Sequence, residues 1–208
     1  MTNASTPRIS SRKQPQQMRS TELVAAILEA AVRVLAEEGA ARFTTARVAE
    51  KAGVSVGSLY QYFPNKAAIL FRLQSDEWRQ TGELMRSILE NAAIAPLARL
   101  RDLVHAFVRS ECEEAQIRIA LADAAPLYRA TPEAREARGQ GERIFKAFMR
   151  EALPEAPEPT RVLAGGLIMA TMSTIAKQFS ATPRSAVEIE TYADALADMF
   201  CAYLSQAK

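Results

Sequence analysis

Residues 44–66, TTARVAEKAGVSVGSLYQYFPNK, decide how the chain is read. Thr44 is a good N-cap, because its hydroxyl can accept from the free backbone N–H groups of a first helical turn. Val48, Ala49 and Ala52 recur at helical spacing and give that helix a small apolar face. Gly53 ends it, since glycine enters the left-handed C-terminal position without a Cβ penalty. Val54 plugs the turn and Ser55 caps a second helix over 56–62, which stops before Pro64 because proline pushes Phe63 out of the helical region.

Two short helices around a three-residue turn make the helix-turn-helix pattern used to read DNA. Leu59 and Phe63 are expected to point inward, leaving Val56, Gly57, Ser58, Tyr60, Gln61 and Tyr62 outward or at the edges. A core helix would not expose two tyrosines, a glutamine and a serine. Gly57 lowers helix propensity by about 1 kcal/mol, a cost that fits a close backbone approach to a partner. Thr44, Thr45, Ser55 and Lys66 complete the expected DNA-binding set, with Lys66 placed to meet a phosphate.

The stretch resembles the TetR family of bacterial transcriptional regulators, whose signature is a TT opening followed by IA..AGVS.GTLY.YF..K. Ser58 stands here where threonine is usual and Val48 where isoleucine is usual, and both keep the chemistry. The preceding ILEAAVRVLAEEGAARF matches the family's first helix and the loop after it, so the resemblance covers roughly residues 23–70. It implies an all-α fold: a three-helix helix-turn-helix DNA-binding domain followed by a helical ligand-binding and dimerisation domain. The expected divisions are a disordered basic arm over 1–17, the DNA-binding domain over 18–66, and the effector and dimerisation domain over 67–208.

Charge placement agrees with that division. Residues 1–66 hold 9 Lys/Arg against 5 Asp/Glu, whereas residues 67–208 hold 17 against 19. A basic excess beside the helix-turn-helix is what a phosphate-binding module needs. Arg8, Arg12, Lys13 and Arg19 lie ahead of the first acid, Glu22, so the arm could follow the DNA backbone or remain a solvated tail. The 49% apolar content with only 8 glycines suits a helical globular protein. Two cysteines and no apolar leader suggest a cytoplasmic protein without a disulfide framework.

Helical periodicity continues through the second half. Spans are expected over about 18–38, from Asn65 to about 91 with a break near Gly82, and over 96–114, 116–128, 132–153, 160–179 and 185–205. Positions 162–176 carry no charge, yet fall short of the roughly 20 apolar residues of a membrane span. A helix apolar all round is buried all round, so a partner chain is expected against it. Ala164, Gly165 and Gly166, with Tyr192, Leu196, Met199, Phe200 and Tyr203 of the last helix, are the expected dimer interface.

Chemistry of other kinds is absent from the sequence. There is one histidine, His105, and no GxSxG, P-loop, GxGxxG or CxxC. No catalytic set, metal site or cofactor is therefore expected. The family resemblance implies an effector cavity, and Trp78, Met85, His105, Phe107, Tyr128, Phe145, Met149, Met169 and Met172 are its candidate lining. The function so implied is a homodimeric repressor of operator DNA released by a small apolar ligand. The alternative is a helical sensor or scaffold that keeps the fold but reads DNA poorly.

Overall fold

The computed structural model describes Ile9 and residues 18–207; the side chains of Met18, Arg19 and Arg138 are outside the description. Among the described residues all regular structure is helical: α1 (Met18–Arg42), α2 (Thr45–Lys51), α3 (Val56–Tyr62), α4 (Lys66–Leu89), α5 (Pro96–Glu113), α6 (Ala115–Ala124), a 3₁₀ turn (Ala125–Leu127), α7 (Pro132–Ala152), α8 (Glu158–Phe179) and α9 (Ala186–Gln206). The capping chemistry is visible at several starts. Asn65 Oδ1 accepts from the Ala68 N–H at 2.9 Å and Thr131 Oγ1 from Ala134 at 3.2 Å. Ser185 and Glu188 form a reciprocal capping box on α9.

Two spans differ from expectation. Helical structure resumes after Gly39, which breaks α1 at φ 73° and ψ 172°, a backbone region open mainly to glycine. α4 runs without interruption past Gly82, since a single glycine costs a helix only about 1 kcal/mol.

The chain forms two compact units. One comprises residues 1–77 and 116–137, the other 78–115 and 138–208. In this division the first half of α4, and α6 from Gln116 on, group with the helix-turn-helix. In that unit Ile27, Leu35, Phe43, Leu59, Ile69 and Leu70 are fully buried. Tyr128 fastens the returning segment. Its hydroxyl lies 3.1 Å from the Leu121 carbonyl and 3.3 Å from Gln74 Oε1, and its ring packs at 5.8 Å against Phe71. Burial, helped by the nearby Glu77 charge, pushes the phenol well above its usual range. Of the N-terminal arm only Ile9 is described, and it is buried; Arg8, Arg12 and Lys13 lie outside the described residues.

The second unit is built on α5, which packs against α8 and α9. Leu100, Leu103, Val104 and Phe107 of α5 join Ile168 and Met172 of α8, Leu196 and Phe200 of α9, and Phe145, Phe148 and Met149 of α7 in one apolar core. Arg99 is buried within the same unit. Its Nη1 donates to the Leu89 carbonyl at the end of α4, its Nη2 donates to Glu151 at 2.7 Å, and its guanidinium lies 5.6 Å from the Phe148 ring centre. Along the other edge of α5, Arg101, His105 and Arg109 face Glu190, Asp194 and Asp198 of α9 in antiparallel order.

Candidate nucleic-acid interface

The turn between α2 and α3 is closed by backbone geometry. Gly53 stands at φ 68°, its N–H bonds to the Glu50 carbonyl at 3.1 Å, and the Val54 N–H reaches Ala49 at 3.0 Å. This is a Schellman closure, and it directs the chain straight into the next cap. Ser55 Oγ accepts from the Ser58 N–H at 3.0 Å and pairs with the Ser58 hydroxyl at 2.9 Å. Thr44 Oγ1 accepts from Arg47 at 3.3 Å and starts α2.

The two-turn α3 is anchored by Leu59, Tyr62 and Phe63, all buried. Here the structure corrects the sequence-based assignment of Tyr62 to the outer surface. Residues 59, 62 and 63 fall at i, i+3 and i+4 and form one stripe, so Tyr62, only 6% exposed, belongs to the core. Val56, Gly57, Tyr60 and Gln61 face out, with Ser58 at the edge. The Tyr60 hydroxyl lies 3.1 Å from Thr45 Oγ1, so the first residues of α2 and the outer face of α3 form one connected polar surface. A Cβ added at Gly57 would meet only Ser55 Oγ, at an ordinary 3.7 Å; internal packing does not require glycine there.

Acids of α1 sort the nearby cations. Glu37 pairs with Lys51 at 2.8 Å, while Glu38 pairs with Arg47 and stands 3.7 Å from Arg42. The pairs with Lys51 and Arg47 tie α1 to α2. Lys66, in the first turn of α4, is exposed and makes no ion pair among the described residues. Of the expected DNA-facing set, then, Thr44, Thr45, Ser55, Val56, Gly57, Ser58, Tyr60, Gln61 and Lys66 are exposed or half-buried, and Tyr62 is buried.

The model for bacterial regulatory proteins of the tetR family matches residues 27–73, and that for the tetracyclin repressor-like C-terminal domain matches residues 95–207. The chain belongs to the TetR family. Family membership places it among transcriptional regulators and not among enzymes. Over 69 residues the TetR chain is 38% identical to the fatty acid metabolism regulator protein of Bacillus subtilis, covering 33% of this chain and 36% of that one. Over 83 residues it is 36% identical to the HTH-type transcriptional regulator TtgR of Pseudomonas putida, covering 40% of each. The chain thus spans well under half the length of these curated relatives. Its fold is similar to that of FadR from Bacillus subtilis in complex with stearoyl-CoA, with TM-score 0.66 and 18% identity over 86% of this chain and 97% of the other.

The other expected sites are only partly assembled. Phe145, Met149 and Met169 line a cavity of about 350 Å³ between α7 and α8. Met85, Phe107 and Met172 are packed in the core of the same unit, and Trp78 is half-buried outside the cavity lining. Tyr128 belongs to the other unit. His105 turns toward α9, its Nδ1 3.0 Å from Glu190 and its Nε2 3.1 Å from Asp194. Sequence spacing does not say which face each of these residues occupies.

The expected dimer residues divide in the same way. Ala164, Gly165, Leu196 and Phe200 are buried against their own chain, and Tyr192 stacks on Phe179 with ring centres 3.9 Å apart. A Cβ at Gly165 would meet Met149 Cγ at 3.1 Å. Tyr203 is half-buried, while Gly166 and Met199 face out. The outward stripe missed by the sequence argument is Val162, Leu163 and Leu167 of α8 with Val187 of α9, and Leu163 is 68% exposed.

Proposed function

We propose that this TetR-family chain is a homodimeric, sequence-specific DNA-binding regulator, a repressor released by a small ligand of largely apolar character. The observation that carries the reading is α3. A two-turn helix held from behind by Leu59, Tyr62 and Phe63 offers Val56, Gly57, Tyr60 and Gln61 outward, and Lys66 is exposed at the start of the next helix. Gln61 can bond adenine bidentately and Val56 can touch a thymine methyl. Thr44, Tyr60, Lys66 and the N-terminus of α3 supply phosphate contacts, which position the helix without reading sequence.

One such helix covers too few base pairs for an operator, so two are needed. The outward stripe of Val162, Leu163, Leu167, Val187 and Met199 supports dimerisation through α8 and α9, because an apolar patch of this kind marks an association surface. α8 is also long and apolar enough to cross a membrane by length and composition, with mean hydropathy 1.2. Its Ala164, Ile168, Met172 and Ala176 instead fill the core of the second unit, and the reading is of a cytoplasmic protein. The relative that binds stearoyl-CoA favours an effector with a long apolar part. Such a ligand weakens operator binding only through its different affinity for the two conformations, and operator must weaken the ligand by the same factor.

Selection of bound duplexes from a random pool tests the reading. A two-fold-symmetric motif with half-sites about one turn apart is expected, with binding that falls steeply with salt. Gln61→Ala should relax preference at one position per half-site by roughly 1–3 kcal/mol. A pool with no enriched motif would favour a helical sensor that has lost DNA reading.

A further inference from the structure

Tyr60 and Thr45 share a hydrogen bond whose direction a phosphate would decide. Tyr60, on the outer side of α3, is 39% exposed. Its hydroxyl lies 3.1 Å from Oγ1 of Thr45, the first residue of α2 and 15 positions away in sequence. Water reaches a pair so placed, and the bond adds little to folding there. What it adds is a fixed position for the phenol oxygen.

Neighbouring hydroxyls already have a structural task. Thr44 Oγ1 accepts from the Arg47 N–H at 3.3 Å and caps α2. Ser55 Oγ accepts from the Ser58 N–H at 3.0 Å and pairs with the Ser58 hydroxyl at 2.9 Å. Thr45 caps nothing. Its hydroxyl bonds to Tyr60 alone among the described residues, and its side chain is half-buried where Tyr60 is exposed.

Each of the two hydroxyls has one proton and can also accept. Only one proton lies between the oxygens. If the phenol donates to Thr45, it has no proton left for a partner. If Thr45 donates, the phenol proton is free, and the bond it accepts polarises it into a stronger donor. Phosphate oxygens of a duplex accept and do not donate, so a phosphate at Tyr60 selects the second arrangement.

We propose that Thr45 is a positioning residue for DNA binding: its hydroxyl donates to the Tyr60 oxygen, and the Tyr60 hydroxyl donates in turn to a backbone phosphate. Thr45 acts through Tyr60 and touches no DNA itself. The assignment rests on the reading of α3 as the DNA-reading helix. A wild-type chain that binds no duplex sinks that reading and this proposal together; binding without coupling between positions 45 and 60 sinks this proposal alone.

The experiment is a double-mutant cycle on the full chain, with Kd measured by fluorescence anisotropy on the duplex that wild type binds best in a random-pool selection. Tyr60→Phe should weaken binding about tenfold per half-site, the scale of a hydrogen bond to a charged group. Thr45→Val, which keeps the shape and loses the hydroxyl, should weaken it about threefold, and Thr45→Ser should restore it. In the Tyr60→Phe background Thr45→Val should change Kd by under about twofold, because the two residues act as one unit. The salt slope should stay that of wild type throughout, since no charge is removed. Replacing single phosphates by uncharged methylphosphonates gives a second reading: the phosphate at which Tyr60→Phe ceases to matter should be the one at which Thr45→Val ceases to matter. Losses that multiply in the double variant, or two different phosphates, would overturn the proposal, because Thr45 would then meet DNA on its own. A Thr45→Val chain with wild-type affinity would overturn it as well. So would a loss that Thr45→Ser does not recover, which marks a packing role.

Discussion

Replacing Glu151 by alanine should destabilise the protein more than replacing the arginine it pairs with. Arg99 is 2% exposed, and its guanidinium has three neighbours: the Leu89 carbonyl, the Phe148 ring and Glu151 at 2.7 Å. Its Nε has no acceptor. Glu151→Ala strands a buried cation, a change worth about 3–5 kcal/mol when both partners are buried. The Glu151 side chain is 52% exposed, so water recovers part of that, and about 3 kcal/mol is expected. Arg99→Met keeps the volume and lets the carboxylate return to solvent. It leaves the Leu89 carbonyl unpaired, at about 1–2 kcal/mol. The double variant should match Arg99→Met alone, because no buried charge is then left to strand. In thermal unfolding at fixed protein concentration, about 2–4 °C per kcal/mol makes Glu151→Ala melt roughly 6–12 °C lower. A loss below about 0.5 kcal/mol, or one smaller than that of Arg99→Met, would show that the guanidinium does not depend on its carboxylate.

Three further outcomes follow from the same geometry. Gly166→Ala should raise stability in urea unfolding by up to about 1 kcal/mol, the helix-propensity gain, whereas Gly165→Ala should gain little because its Cβ presses on Met149. Lys66→Ala should weaken binding to all duplexes alike and lower the salt slope by about 1; an unchanged slope would remove Lys66 from the phosphate surface. Glu190 is held below the usual carboxylate range, first by its hydrogen bond to Arg109, and Glu188 by its bonds to Ser185. A folded-state pKa depressed in this way contributes stability above the unfolded value and loses it as pH falls through the folded one. Stability should therefore decline as pH drops below the ordinary carboxylate range, and Arg109→Gln should flatten that decline in acid titrations followed by circular dichroism.

The helix-turn-helix was legible because its determinants are local. Caps at Thr44 and Ser55, Gly53 at positive φ and the stop before Pro64 each depend on one or two residues, and all stand in the structure. Tyr62 was misplaced by residue type, although the spacing of Leu59, Tyr62 and Phe63 carried the right answer. The faces of α8 were illegible for the opposite reason. Small and apolar residues surround the whole helix, so nothing in the pattern separates Gly165, which packs on Met149, from Gly166, which faces outward. The return of residues 116–137 to the first unit is a tertiary choice made by Tyr128 and its partners, and no local signal announces it. The pairing of Glu37 with Lys51 and of Glu38 with Arg47 likewise becomes visible only when α2 is placed beside α1.

The charged edge between α5 and α9 has a property that its individual pairs do not. Arg101, His105 and Arg109 repeat every four residues, as do Glu190, Asp194 and Asp198. Sliding one helix by four residues, about 6 Å at 1.5 Å per residue, would bring two of the three rungs into opposition again. The ladder is thus a vernier with evenly spaced marks: it sets the distance and the antiparallel sense of the two helices but counts along them poorly. Counting is left to the unequal shapes beside it, Leu103, Val104 and Phe107 against Ala193, Leu196, Ala197 and Phe200. Alignment of the second unit is consequently stored in the sizes of its apolar side chains.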